Sequence, residues 1–387
     1  MEPPRFSFND RFHLPYRRSI GQRFTLKTLE VYSLFCGLDL TPEAKRYPGF
    51  RKCLIGLIRV VVVCLTLLFF TVRLFEQYAN FPKVPSASDF FQAINSFNTF
   101  GMMIEGSRSL WLNQQFLRHF YNDYRNSHLL SLRMLFVFIF GVTAIFCNHF
   151  NQFHIESHGE PTNWDSKGPL YEMLARMSRL LTPLLNQSHM LCMLLYIQAE
   201  AILVGRLRHL AESVTLLPLH RIVDSKSQVR EFIAGVNQTF SRILLLMYLS
   251  IFALIYTTLV SLLLDCFSNQ VRLASVPPVL KILMLLYMAS RGSEITNNSK
   301  QAEFEALALK FAHDEKEEAD IFFRIMAHDE IRDALTISDC FPNKRSTVIA
   351  YFGTVITCIA ILLQFDYRIM AKFDQQKALF NTTAQYS

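Results

Sequence analysis

Residues 241–266 read SRILLLMYLSIFALIYTTLVSLLLDC. Between Arg242 and Asp265 no residue carries a formal charge. A helix rises 1.5 Å per residue, so about 20 apolar residues cross the roughly 30 Å hydrocarbon core of a bilayer. This stretch therefore reads as a transmembrane helix, and it sets the question for the rest of the chain.

The surrounding composition agrees. Of 387 residues, 51% are hydrophobic and 18% are charged, with 35 Phe and a mean hydropathy of +0.21. Soluble domains carry about 25% charged residues. These values argue against a set of soluble domains and exclude a disordered chain. With 13 Gly and 14 Pro the chain is neither collagen-like nor mucin-like. Residues 1–24 are basic and contain proline but have no apolar core, so they do not read as a secretory signal. The eight cysteines are scattered without a CxxC pair, which gives no zinc pattern. Cys147 and Cys266 fall near the outer ends of two spans; a disulfide between them and buried free thiols are both compatible with that placement.

Four more stretches have the length and apolarity of a span: 53–75, 131–153, 276–291 and 346–366. Two further stretches are apolar but carry polar side chains. Residues 85–109 hold Asp89, Gln92, Asn95, Asn98 and Glu105, and residues 172–205 hold Arg176, Arg179, Asn186, Gln187, His189 and Glu200. Polar groups inside a membrane are tolerated on faces turned to protein or water, so these two spans are expected to be interior helices. The expected fold is an all-α membrane protein with seven transmembrane helices.

Lys and Arg set the orientation. With a cytoplasmic N-terminus, 24 basic residues fall in the inner segments 1–52, 110–130, 206–240 and 292–345, against six in the outer ones. The N-terminus is therefore expected in the cytosol and the C-terminus outside. The net charge of +7 follows from this asymmetry and needs no nucleic-acid partner. The expected organisation is a cytoplasmic segment (1–52), spans one to six as a ligand-binding bundle (53–291), cytoplasmic anchor helices (292–345), a seventh span (346–366) and an extracellular tail (367–387). Residues 297–335 carry Phe304, Leu307, Phe311, Ile321, Ile325 and Met326 at helical spacing, a stripe that calls for a partner helix.

On a helix at 100° per residue, Thr347, Thr354, Thr357 and Gln364 of the last span fall within roughly 100° of one another, together with Ala350 and Ile361. Phe352, Val355, Ile359 and Leu363 lie opposite. Hydroxyls and an amide in a stripe can line water, and an apolar residue among them can close the path by dewetting, which makes Ile361 the candidate gate. The same groups can instead bond to neighbouring helices or back to their own carbonyls.

The run Thr357-Cys358-Ile359-Ala360-Ile361-Leu362-Leu363-Gln364-Phe365 resembles the T-Y-(five apolar)-Q-F signature that ends the last span of insect gustatory receptors. Cys358 stands where the signature has Tyr. Chain length, seven spans, a cytosolic N-terminus and a long last cytoplasmic segment fit the same family. Insect odorant receptors share the architecture but usually lack the Q-F ending. The resemblance implies a plasma-membrane, ligand-gated, non-selective cation channel of sensory neurons, a homo- or heterotetramer whose last spans line one pore. Together with the polar stripe it puts Thr354, Thr357, Ile361, Gln364 and Phe365 at the pore and gate, and it places the ligand, a small-molecule tastant of bitter or otherwise aversive quality, in the outer half of the bundle. Polar and aromatic residues there are Gln92 and Asn95 on span two, Asn148 and His149 on span three, Thr182, Asn186 and His189 on span four, and Tyr256 on span five. Of four N-x-S/T sequons, the expected topology exposes only Asn381 to glycosylation.

Other classes lack their marks. A metabotropic seven-span receptor needs an outside N-terminus, and neither D-R-Y nor N-P-x-x-Y ends spans three or seven. A secondary transporter is expected to show repeated halves. No catalytic arrangement, cofactor motif or metal motif stands out, so no enzyme and no cofactor is expected.

Overall fold

A bilayer offers the backbone no hydrogen-bond partner, so apolar runs of this length must close their bonds within helices. The computed structural model describes residues 27, 29–31, 33–40, 48–80, 87–126, 169–213, 219–264, 276–310 and 333–365, and they are mostly helical. The elements are α1 (Pro48–Asn80), α2 (Ala87–Leu112), α3 (Gln114–Asn126), α4 (Pro169–Ser213), α5 (Leu219–Leu264) and α6 (Val276–Lys310). A short hairpin, β1 (Thr336–Ile337) and β2 (Phe341–Pro342), leads into α7 (Arg345–Phe365). Six of the expected spans lie on α1, α2, α4, α5, α6 and α7. The stretch 131–153, with Cys147, and also Cys266, lie outside the described residues.

Among the described helices, α1 (33 residues, about 50 Å) and three others exceed a bilayer's thickness of about 40–45 Å with its headgroups. At 1.5 Å per residue, the 45 residues of α4, 46 of α5 and 35 of α6 span about 68, 69 and 52 Å. The segments 206–240 and 292–310, expected as part of the inner loops and anchor, are thus largely continuations of these helices. The cause is local. In α5, Ile222, Val229, Phe232, Ile233, Val236 and Phe240 fall within about 100° of one another on the helix and are all buried. Charged residues on the other side of the same turns lower the hydropathy without breaking the helix.

α4 is the interior helix, with every residue from Leu191 to Glu200 buried. It packs most extensively on α6, while α2 packs mainly on α5. α2 is only partly interior: Met102, Met103 and Leu110 are buried, but Phe90, Phe97 and Ile104 are exposed. α1 and α7 flank the bundle with most of their apolar surface uncovered.

The described parts of the four segments assigned to the inner side meet at one end of the bundle. Residues 33–40 fold back under α1 and α2, turning at Gly37 (φ 70°), where a side chain would be strained and would meet Arg59. Arg59 donates to the Gly37 carbonyl (3.0 Å) and to Gln114 Oε1 (2.6 Å), and Trp111 Nε1 donates to the Cys36 carbonyl (2.9 Å). Arg118 of α3 holds the carbonyl of Asp39 (2.8 Å). Arg206 of α4 lies over the ring of Phe232 on α5 (4.8 Å), and Arg208 pairs with Glu294 of α6 (2.8 Å). Arg230 of α5 pairs with buried Asp333 through two bonds of 2.5 and 2.8 Å, which ties down the start of the hairpin.

Residues 333–344 were expected within the anchor helices; they form this hairpin instead. Ser338 and Asp339 have positive φ, a conformation that short polar residues tolerate in turns. Asn237 of α5 donates to the Ala334 carbonyl (3.0 Å) and accepts from the Thr336 amide (2.9 Å), satisfying backbone that would otherwise be orphaned. Residues 311–332, with the rest of the expected apolar stripe, lie outside the described residues.

Candidate functional site

α7 has two unlike sides. Val348, Val355 and Ile359 are buried, with Phe352 and Leu363 partly covered. Ala350, Thr354, Thr357, Ile361 and Gln364 are exposed, and Thr347 is half-buried. The polar stripe expected from residue spacing therefore lies on the side turned away from the subunit. Beside it, Ile349, Gly353, Ile356 and Ala360 are exposed as well. Phe365 ends the helix, and its side chain lies outside the described residues.

The two threonine hydroxyls donate along their own helix: Thr354 to the Ala350 carbonyl (3.0 Å) and Thr357 to the Gly353 carbonyl (2.9 Å). This is the back-bonding alternative read from the sequence. It also has a chemical consequence. With each proton committed to a carbonyl, the hydroxyl oxygen keeps its lone pairs for the outside. These two hydroxyls thus present acceptors, which suit cations and water rather than anions, and the Gln364 amide adds both an acceptor and donors.

The covered side of α7 rests on an aromatic cluster. Tyr256 and Phe91 pack with ring centroids 4.6 Å apart, Phe91 meets Phe252 at 5.2 Å, and Val355 and Ile359 complete the group. Tyr256 is fully buried. So one residue assigned to the ligand region belongs to the hydrophobic cluster behind α7. Asn95 lies on the same helix as Phe91, and its amide oxygen accepts from Ser250 of α5 (3.2 Å), an interhelical bond. Gln92, Thr182, Asn186 and His189 sit on α2 and α4, but their side chains lie outside the described residues. Asn148, His149 and Asn381 lie outside them altogether.

A polar joint at the foot of α7 was not read from the sequence. Asn343 Nδ2 donates to the Tyr196 hydroxyl of α4 (2.8 Å), and its Oδ1 accepts from the Tyr248 hydroxyl of α5 (3.1 Å). Its amide donates to the Leu335 carbonyl (2.7 Å). Its own carbonyl lies against Gly292 of α6, where a Cβ has no room. Arg345 then starts α7 with its amide on the Ser293 hydroxyl (2.8 Å) and its guanidinium on Ser290 (2.7 Å). Two turns on, the Tyr351 hydroxyl donates to the backbone carbonyl of Tyr248. Glu200, one turn past Tyr196 on the same helix, is fully buried. A carboxylate inside an apolar span was the one visible signal of this region.

No family model matches the chain, and no curated protein matches it. Its likeness is to solved structures. The structure of the insect olfactory receptor OR5 from Machilis hrabei in complex with eugenol superposes with a TM-score of 0.67 at 15% identity, covering 89% of this chain and 99% of that one. A second structure of the same receptor gives a TM-score of 0.65 at 16% identity with the same coverage. The chain is thus a multi-pass membrane protein with the seven-span helical fold of the insect olfactory receptors.

Proposed function

We propose that the chain is a subunit of a ligand-gated, non-selective cation channel of chemosensory cells, with α7 lining the pore. The observation that carries this reading is the division of α7. Its apolar back is packed on the bundle, while Thr354, Thr357, Ile361 and Gln364 are exposed on a side the subunit itself does not cover. A lone subunit inserted in a membrane would turn that stripe to lipid. A ring of copies turns it to water, with Ile361 narrowing the path. The homo- or heterotetramer that the gustatory-receptor resemblance implies is such a ring.

The charge bias of the sequence supports a cytoplasmic N-terminus, and the described parts of the lysine- and arginine-rich segments gather at one end of the bundle. That end then acts as the cytoplasmic anchor, and the outer half of the bundle receives the ligand. Taste, and within it a bitter or aversive compound, is the quality supported by the T-x-(five apolar)-Q-F ending. The fold likeness to an olfactory receptor crystallises the second reading, a volatile ligand of the same small amphipathic kind; the structure of OR5 with eugenol motivates it.

Gln364→Ala is the test of the pore. It is expected to change unitary conductance or relative cation permeability while leaving surface expression intact. Unaltered currents at normal expression would remove α7 from the pore. Calcium imaging in a null cell against sugars, alkaloids, amino acids and eugenol separates taste from odour.

A further inference from the structure

We propose that Asn343 is a positioning residue that couples the ligand bundle to the gate, passing movements of α4 and α5 into the tilt of α7. The inference rests on the channel reading above and adds the route by which a ligand would act.

Four elements converge on this one residue. Its side chain lies between Tyr196 of α4 and Tyr248 of α5, its amide closes the hairpin on Leu335, and its carbonyl touches Gly292 of α6. Asn343 is 2% exposed, so neither tyrosine bond has water to replace it. Only Lys344 separates it from the first residue of α7. A shift of Asn343 therefore shifts the start of the helix.

The geometry amplifies small movements. Ile361 lies 16 residues beyond Arg345, or about 24 Å along the axis, so a tilt of about 5° at the foot displaces it by about 2 Å. Tyr248 holds α7 at two heights, through its hydroxyl at Asn343 and through its carbonyl at Tyr351. α5 can thus impose a tilt rather than a simple translation.

The other end of the route is in register. On α4, positions 182, 186, 189, 196 and 200 fall within roughly 80° of one another, so Tyr196 and Glu200 share a helix face with the proposed ligand positions. On α5, Tyr256 lies two turns from Tyr248 and contacts Phe91. A stiff helix that moves at either group moves the tyrosine that grips Asn343.

The test compares Tyr196→Phe, Asn343→Ala and the double variant in the full chain, recording basal Na+ current and currents evoked by eugenol and quinine. Tyr196→Phe, which removes one neutral hydrogen bond, is expected to change the basal open fraction or the half-maximal concentration about three- to tenfold, and Asn343→Ala, which removes two, by at least as much. Both are expected to shift in the same direction, with the double variant no further than the larger single one and reversal potentials unchanged. Strictly additive effects, or lower surface expression with unchanged responses of the remaining channels, would overturn the proposal.

Hydrogen exchange in detergent micelles gives a readout independent of conduction. Tyr196→Phe, which leaves α7 itself untouched, is expected to speed exchange over residues 345–352. Unchanged exchange there overturns the coupling. Where the wild type carries no basal or evoked current, the exchange result decides the coupling alone.

Discussion

Thr357 shows one group committed in two directions. Its proton satisfies the Gly353 carbonyl, and its oxygen faces outward. Thr357→Val keeps the shape and removes both. Because the residue is exposed, stability is expected to change by no more than about 0.5 kcal/mol. Conductance is expected to fall, since a methyl group offers a cation no lone pair; single-channel recording with surface biotinylation separates the two effects. The spacing of these hydroxyls was readable because one helix sets it. Asn343 was not readable. A polar residue just before a helix ordinarily suggests a cap, with its side chain on the helix's own amides. Here the side chain binds tyrosines 147 and 95 positions away in the chain. No local pattern encodes a partner at that distance.

At the scale of elements, hydropathy located the helices and misjudged their ends. The membrane portion of α5 was plain, but residues 219–240 were hidden by their charged face even though Ile222, Val229, Phe232 and Val236 form a buried stripe. The hairpin before α7 is shorter than any pattern can support, with two residues in each strand. It holds because Asn237 and Arg230 of α5 satisfy its backbone and its buried Asp333. Gly292 of α6 tests this fit. Gly→Ala in a helix interior ordinarily stabilises by about 1 kcal/mol. At 292 the new methyl would collide with the Asn343 carbonyl, and forced overpacking costs about 1–3 kcal/mol. Gly292→Ala is therefore expected to lower the thermal midpoint in detergent. A raised midpoint would mean that the hairpin yields freely.

For the whole molecule, the charge asymmetry makes the most direct prediction. An epitope tag at residue 1 is expected to stain only after permeabilisation, and staining of intact cells would reverse the orientation. The alternation of basic and neutral loops could be read without coordinates because the bilayer imposes it along one axis. Composition and span length likewise depend on the solvent more than on neighbours, so they showed a helical membrane protein, and residue spacing within one helix showed the polar stripe of its last span. Which side of that helix is covered, and what joins its foot to α4, α5 and α6, depends on packing between residues far apart in the chain. Tyr196, Gly292 and Asn343 acquire their roles only when three helices and a hairpin arrive at one point, and tertiary structure alone decides that meeting.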